Sequence, residues 1–279
     1  MHKKRYYFAD FCVELLCEMP IKTSENFAEF IGGGNPNISF NVICGKLPEK
    51  TGKMLFSGEL KTFFSDGENE YMYSSFYDGK SDGYIDYSCR VTGKNGNFLY
   101  IDYDEMWDSM VFDALNIPDI LIRHKTALIH SSYIVHGGKA ILFTADRQTG
   151  KSTQASLWEK YAGALVVNGD RASIKEKHGV MYACAVPFRG SSKVSLSENR
   201  PLRAIIVLGQ SKENTIRRLS PSEAFVNLIG KLTYDTWNEE SVEAASYMAA
   251  YAAENVEVYK YDCLPDESAV TFLRKELNI

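Results

Sequence analysis

The sequence predicts two domains, a β-rich N-terminal domain over residues 1–123 and an α/β domain over residues 124–279. Two differences in sequence pattern between the halves predict this division. Aromatic segments separated by Gly- and Asn-rich turns fill the first half. Apolar runs alternate with amphipathic helical segments in the second half, which is typical of α/β folds. The length of 279 residues, 45% of them hydrophobic, allows one large domain or two modest ones.

Composition excludes several classes of protein. The formal net charge of -5 argues against a nucleic-acid or membrane-surface partner, since both attract basic faces. No apolar run approaches the roughly 20 residues of a membrane span, and the start MHKKRYYFADF lacks the features of a signal peptide. We therefore expect a cytoplasmic protein, for which a homo-oligomer is compatible with the sequence. Six scattered cysteines without paired spacing predict buried, reduced thiols.

The first half predicts an antiparallel β domain of about six strands. Turn-forming stretches such as GGGNPN, SDGEN and TGKNGN separate the candidate strands. Packing of a β core explains their many aromatic residues, and an aromatic binding face is the alternative. The candidate strand segments are YYFADFCVEL, ISFNVIC, MLFSGELKTFF, EYMYSSFY, YIDYSCRV and NFLYIDY.

The second half predicts interleaved strands and helices. Buried strands are indicated by short apolar runs, and helices by apolar residues at helical spacing. Ser220-Pro221, with Glu223 in the first turn, predicts a helix start. The predicted strands are KAILFTA (139–145), ALVVN (164–168), AIIVL (204–208) and VEVYKYD, and the predicted helices are STQASLWEKYA, the segment after Ser220, ESVEAASYMAAYAA and DESAVTFLRKEL.

One stretch, LFTADRQTGKSTQ (142–154), has the pattern of a phosphate-binding loop. Its Gly-Lys-Ser triplet follows an apolar strand and opens a helix, whose unpaired N-terminal amides attract anions. Gly150 permits close backbone approach, Lys151 can reach the outer phosphates, and the Ser152 hydroxyl can bind Mg²⁺. A second triplet, Gly79-Lys80-Ser81, lies between two aromatic β segments and predicts only a hairpin turn.

The first position of this loop departs from the usual pattern. Ala145 stands where glycine is usual, and if positive φ is required there, alanine costs about 1 kcal/mol and weakens the site. Arg147 and Gln148 are also bulkier than usual, and Arg147 is either a phosphate clamp or a solvated side chain. The sequence thus favours a nucleotide site, with a helix N-terminus that binds no ligand as the alternative.

The stretches IHSSYIVHGGKAILFTADRQTGKST and ALVVNGDRASI resemble the HPr kinase/phosphorylase-related kinases, whose nucleotide fold is shared with phosphoenolpyruvate carboxykinase. The resemblance continues through VPFRGSSK (186–193), residues 201–225 and CLPDESAVTFL (263–273), about 150 residues in total. It implies an α/β P-loop kinase domain of the HPr kinase/phosphoenolpyruvate carboxykinase type, preceded here by the β-rich N-terminal domain.

The resemblance also implies a kinase that uses ATP and Mg²⁺ to phosphorylate a serine or another hydroxyl. It implies phosphate and metal roles for Lys151 and Ser152, a base or metal-binding role for Asp170, and an active-site position for His130. Gly169 stands where the family has the first acid of a pair. A single acid can still hold Mg²⁺ and orient a hydroxyl, because phosphoryl transfer depends mainly on positioning and charge neutralisation.

Each candidate also has a purely structural interpretation. His130 on an apolar strand is compatible with a core histidine, and Asp170 after Asn-Gly with turn chemistry. Asp146 is expected to be a turn acid. The basic segment around Arg189 and Lys193 either closes over phosphates or is solvated. The expected catalytic residues are Asp170, His130 and Lys151; the expected metal ligands are Ser152 and Asp170; the expected nucleotide contacts are Arg147, Gln148, Thr149, Gly150, Lys151, Ser152, Thr153, Arg189 and Lys193.

The leading hypothesis is an ATP-dependent phosphotransferase that acts on a protein, a peptide or a small-molecule hydroxyl. The alternative is a non-catalytic nucleotide-sensing or peptide-binding pseudokinase module in which the β half recognises the partner. Ala145 and Gly169 motivate that alternative.

Overall fold

A computed structural model of the protein describes residues 1–79, 83–103, 105–146, 149–190 and 194–279. The chain folds as two compact units, Met1–Ile117 (unit 1) and Pro118–Ile279 (unit 2). All six cysteines are free thiols. Within the described ranges, no helix has both the length and the apolarity that a bilayer span requires.

Unit 1 is built on one eight-stranded sheet. A 3-10 helix (Glu25–Phe30) and helix α1 (Asp108–Leu115) accompany it. Its strands are β1 (His2–Phe8), β2 (Phe11–Cys17), β3 (Ile38–Cys44), β4 (Lys53–Ser57), β5 (Lys61–Ser65), β6 (Asn69–Tyr77), β7 (Tyr84–Gly93) and β8 (Gly96–Ile101). They lie in the order β1-β2-β3-β8-β7-β6-β5-β4.

The prediction of about six antiparallel strands was wrong in number, and two of the seven strand pairings in the sheet are parallel. The segments YYFADFCVEL and MLFSGELKTFF each contain two strands, so eight form instead of six. Between β1 and β2 the chain turns at Ala9 and Asp10, which have φ values of 51° and 55°. A two-residue hairpin loop needs such values, and no glycine marked it. Strand β3 pairs in parallel with β2 and β8. The long connection between β2 and β3 carries the chain back to the starting end of β2, so that both strands run in the same direction.

Aromatic side chains form much of the core of unit 1. Tyr6 and Phe27 pack edge to face with ring centroids 5.8 Å apart, and each also contacts Phe112. All three side chains are almost fully buried. Such pairs add roughly 0.5–1.5 kcal/mol beyond the burial of their area. For these residues, core packing explains the aromatic composition.

Unit 2 combines a mixed nine-stranded sheet with helices, as expected for an α/β fold. Helix α2 (Ile117–Arg123) begins at the boundary. The strands are β9 (Thr126–His136), β10 (Lys139–Thr144), β11 (Leu165–Asn168), β12 (Arg171–Lys177), β13 (Val180–Cys184), β14 (Arg200–Gln210), β15 (Thr215–Arg218), β16 (Leu232–Thr233) and β17 (Glu257–Cys263). The remaining helices are α3 (Lys151–Ala162), α4 (Pro221–Ile229), α5 (Glu239–Asn255) and α6 (Glu267–Leu277).

All four predicted strands and all four predicted helices of this unit are confirmed, to within a few residues at their ends. At the start of α4, Ser220 and Glu223 form a reciprocal capping box. Strands β12, β13, β15 and β16 were not predicted. Pairing with neighbouring strands decides the conformation of these segments.

Three parallel strands determine where loops meet in unit 2. Strand β14 pairs in parallel with β10 on one side and β17 on the other. The side chains of Phe143, Trp158 and Ile206 belong to one buried cluster that joins these strands to α3 and α6. Because the strands are parallel, their carboxyl ends open onto the same edge of the sheet, where ligands bind in many α/β folds.

Candidate active site

The loop after β10 begins with a buried residue. Ala145 is only 2% exposed and belongs to the same buried cluster as Phe143 and Trp158. Its φ is not positive. The condition under which alanine would strain the loop, a positive φ, is therefore not met, and the Ala145 side chain packs in the core. Arg147 and Gln148, two of the expected nucleotide contacts, lie outside the described residues.

Gly150 is the residue of this loop that requires glycine. It precedes α3 with φ 104° and ψ 21°, a left-handed conformation that L-residues rarely adopt. A Cβ atom there would meet only the Cβ of Thr153, at 3.9 Å, so backbone conformation rather than space demands glycine. The Thr149 hydroxyl donates to the Asp146 carbonyl at 3.0 Å and braces the loop just before the helix.

Lys151 points its ammonium group back at the loop. Its Nζ donates to the carbonyl oxygens of Ala145 at 3.2 Å and Asp146 at 3.3 Å, and the residue is only 9% exposed. The side chains of Ser152 and Thr153 are exposed in the first turn of α3. One cation, two hydroxyls and the positive end of the helix dipole are thus brought together at this helix start.

A cavity of about 400 Å³ adjoins the loop. One wall comes from the loop and the first turn of α3, including Thr149, Gly150 and Thr153. The other walls are Gly209–Ser211, at the end of β14, and Cys263–Pro265, at the end of β17. The cavity therefore lies at the carboxyl edge of the parallel strands.

Gln154 lies at the wall of this cavity and is 3% exposed. Its Nε2 donates to the Leu264 carbonyl and the Cys263 sulfur, each at 3.2 Å. Its Oε1 is buried, and among the described residues it has no hydrogen-bond partner. Burial raises the pKa of the Cys263 thiol to about 11, so this sulfur remains a neutral thiol at physiological pH.

Asp170 is held by the side chain of its neighbour Asn168, which sequence reasoning did not select. The buried Asn168 Oδ1 accepts from the backbone amides of Asp170 at 2.9 Å and Arg171 at 3.0 Å. Its Nδ2 donates to the Phe188 carbonyl at 2.9 Å. The turn that Asn168 stabilises therefore orients Asp170, and the turn interpretation of this position is confirmed.

The carboxylate of Asp170 lies among groups from three segments. Its Oδ1 is 3.4 Å from His130 Nδ1, and its Oδ2 is 3.4 Å from Arg171 Nε. A Cβ atom at Gly190 would lie 2.7 Å from Asp170 Cγ, so this glycine backbone rests against the carboxyl group. His130 and Asp170, predicted separately, are thus brought together. Arg189 precedes Gly190 and is partly exposed, and Lys193 lies outside the described residues.

Lys231 is a functional candidate that sequence reasoning missed. Its ammonium forms an ion pair with Asp146 Oδ1 in the loop, and this contact lowers the pKa of Asp146. Its carbonyl accepts from the backbone amide of His130 at 3.0 Å. Strand β16, which follows Lys231, pairs with β9 and sets this position. The local segment Ile-Gly-Lys-Leu carries no motif, so only long-range strand pairing reveals the residue.

The donors fit Mg²⁺ that arrives with a nucleotide better than a metal held by protein alone. Among the described residues, no group of three or more His, Cys, Asp or Glu side chains is placed to hold a metal ion. Mg²⁺ prefers oxygen ligands and often takes one or two carboxylates, completing its shell with phosphate oxygens and water. The hydroxyl of Ser152 and the carboxylate of Asp170 are donors of this kind.

No family model matches the chain, and no curated protein matches it. The Hpr(Ser) kinase/phosphatase from Coxiella burnetii is among the solved structures that show a distant likeness to the chain. The two chains are 14% identical, the match covers 55% of this chain and 99% of that chain, and the TM-score is 0.33. A likeness at this level assigns neither a family nor an activity to the chain.

Proposed function

We propose that unit 2 binds ATP and transfers its γ-phosphate to a hydroxyl group. The observation that carries the proposal is the start of α3. There a left-handed Gly150 opens the helix, and the Lys151 ammonium lies over the loop carbonyls of Ala145 and Asp146. Unpaired amides, a helix dipole and a cation at one point favour an anion with several charges, which a triphosphate provides.

The adjoining cavity supports a nucleotide rather than a free phosphate as the ligand. Its volume of about 400 Å³ lies in the range of small-ligand sites, roughly 300–1,000 Å³. Its walls continue directly from Thr149 and Gly150. Hydrogen bonds to Leu264 and Cys263 fix the Gln154 side chain in the wall of the cavity. We therefore expect the nucleoside to occupy this cavity while the phosphates lie at the start of α3.

We expect the hydroxyl group of the phosphate acceptor to bind next to the Asp170 carboxylate. A carboxylate there can orient a hydroxyl and take its proton as the new oxygen–phosphorus bond forms and the bond to the leaving ADP breaks. His130, 3.4 Å away, restricts the orientation of this carboxylate. Mg²⁺ bound with the nucleotide would neutralise phosphate charge, and Ser152 and Asp170 are the residues that would hold it.

A second candidate is a module that binds nucleotide without transferring phosphate. Because residue 169 is glycine, Asp170 has no acidic residue next to it in the chain. The Gly169 carbonyl accepts a hydrogen bond from the Ser132 hydroxyl. Such a module would sense nucleotide or present a peptide. Both candidates require nucleotide binding, and only the first requires turnover.

Thermal unfolding with millimolar Mg·ATP or Mg·ADP tests the shared requirement. A ligand at 100 times its Kd stabilises the folded state by about 2.7 kcal/mol, which gives a visible rise in Tm. Lys151→Ala should remove that rise, because it deletes the cation at the loop. Lys80→Ala, in the second Gly-Lys-Ser triplet, is the matched control and should leave the rise intact. An unmoved Tm in the wild-type protein would rule out both candidates.

Turnover separates the two candidates. ATP labelled in the γ-phosphate is incubated with the protein and a panel of serine peptides and small hydroxyl compounds. Transfer of label to an acceptor supports the kinase. A Tm rise with neither transfer nor hydrolysis supports the nucleotide-binding module.

A further inference from the structure

We propose that Lys231 is a second phosphate-binding cation of this site, and that Asp146 occupies its ammonium group until nucleotide phosphates replace the carboxylate. This inference rests on the proposed function, because it names the ligand that Lys231 awaits. It assigns a role to a residue that no motif in the sequence marks.

Two ammonium groups converge on one loop residue, Asp146. Lys151 Nζ donates to the Asp146 carbonyl at 3.3 Å, and Lys231 Nζ pairs with the Asp146 carboxylate. Asp146 lies in the loop that leads to Gly150. An anion bound at this loop therefore comes within reach of both cations. Two cations at one anion site are typical of phosphoryl-transfer centres, where charge must be neutralised as it moves.

Backbone hydrogen bonds fix the position of Lys231. Its amide donates to the Leu228 carbonyl at 2.8 Å, and its carbonyl accepts from His130 at 3.0 Å. The Thr144 hydroxyl donates to the His130 carbonyl at 2.8 Å. The end of β10, His130 and Lys231 are thus joined by one side-chain hydrogen bond to the backbone and one main-chain hydrogen bond. Lys231 therefore needs no large backbone movement to meet a ligand at the loop.

The two side chains of the ion pair, Lys231 and Asp146, differ in their exposure to solvent. The Lys231 side chain is 20% exposed, whereas the Asp146 side chain is 88% exposed. The largely covered Lys231 side chain keeps its ammonium at the loop, while an exposed carboxylate is readily hydrated when it leaves. A phosphate oxygen carries more charge and forms charge-assisted hydrogen bonds of the strongest class. The exchange of carboxylate for phosphate therefore favours the nucleotide-bound state.

Titration calorimetry with Mg·ATP, and with adenosine as a probe that lacks phosphate, tests this exchange. Lys231→Ala should weaken ATP binding about tenfold or more, and Asp146→Asn should strengthen it about threefold, because the competing carboxylate is gone. Neither change should alter adenosine binding. In the double variant the gain from Asp146→Asn should vanish, leaving the affinity of Lys231→Ala, because without the ammonium there is no competition to relieve.

Two further variants guard against trivial effects. Lys231→Arg keeps the charge and should retain ATP affinity within about threefold, whereas a loss as large as that of Lys231→Ala would contradict phosphate binding. Lys160→Ala removes an exposed cation from the last turn of α3 and should change nothing. The unliganded Tm of each variant shows whether it folds.

The outcomes distinguish this inference from the proposed function. If Lys151→Ala loses ATP while Lys231→Ala binds it like wild type, Lys231 is not a phosphate ligand and the proposed function stands. If Lys231→Ala loses ATP but Asp146→Asn gains nothing, the exchange with Asp146 is wrong. If the wild-type protein binds no ATP, the proposed function and this inference both fail.

Discussion

The two Gly-Lys-Ser triplets of this chain have the same composition and different surroundings. Gly79 has φ 68° and lies in the connection between the antiparallel strands β6 and β7, which pair at Tyr77 and Tyr84. Gly150 has φ 104° and lies between the parallel strand β10 and helix α3. Both glycines thus adopt left-handed conformations. Lys80 and Ser81 lie outside the described residues.

The secondary-structure elements on either side of a Gly-Lys-Ser triplet decide whether it can form a phosphate-binding loop. A hairpin connection closes the ladder between two strands, as the Asp78 amide does by donating to the Gly83 carbonyl at 3.3 Å. A strand-to-helix connection instead opens onto unpaired helix amides and onto the carboxyl ends of neighbouring parallel strands. The triplet at Gly150 lies at the cavity of about 400 Å³, and Asp146 in the same loop pairs with Lys231.

The largest effect is expected at Asp170, whose carboxylate lies 3.4 Å from His130 Nδ1. Asp170→Asn keeps the shape of the side chain and removes its charge. Loss of a positioned base typically costs 10²–10⁴-fold in rate, so we expect transfer to fall at least 100-fold while Mg·ADP affinity stays near normal. Both quantities should be measured on one preparation. Full transfer activity in the variant would limit Asp170 to its role in the turn.

An intermediate effect is expected from alanine at the two glycines. Gly150→Ala forces a Cβ onto a left-handed residue, which costs about 1–2 kcal/mol of stability and displaces Lys151. We expect Mg·ADP binding to weaken about fivefold or more. Gly79→Ala should cost a similar amount of stability, measured by urea unfolding, with no change in nucleotide affinity. Equal losses of affinity in the two variants would show that the surroundings do not separate the triplets.

The smallest effect is expected at Ala145, which stands where glycine is usual but does not have a positive φ. Ala145→Gly removes a buried methyl group and adds backbone freedom, so we expect the free energy of unfolding to fall by about 1 kcal/mol. Because φ at this position is not positive, glycine relieves no strain and nucleotide affinity should not improve. A clear gain in affinity would show that the loop changes its conformation when it binds ligand.

The sequence by itself determined the local parts of the candidate site. An apolar run, a Gly-Lys-Ser triplet and an amphipathic segment in succession are sufficient to predict β10, Gly150 and α3, since each depends on neighbours in the chain. The start of α4 at Ser220 is likewise a local signal, because its capping box involves residues three apart. These predictions needed no knowledge of how the strands pair.

Tertiary structure alone decided which of these parts meet. Lys231 reaches the loop because β16 pairs with β9, and Asn168 orients Asp170 while holding the Phe188 carbonyl. Ala145 is accepted because core packing, rather than local backbone strain, governs its position. Strand register and burial depend on residues far apart in the chain, so no local pattern encodes them. The surroundings of Asp170 and the second cation at the loop are properties of the folded sheet.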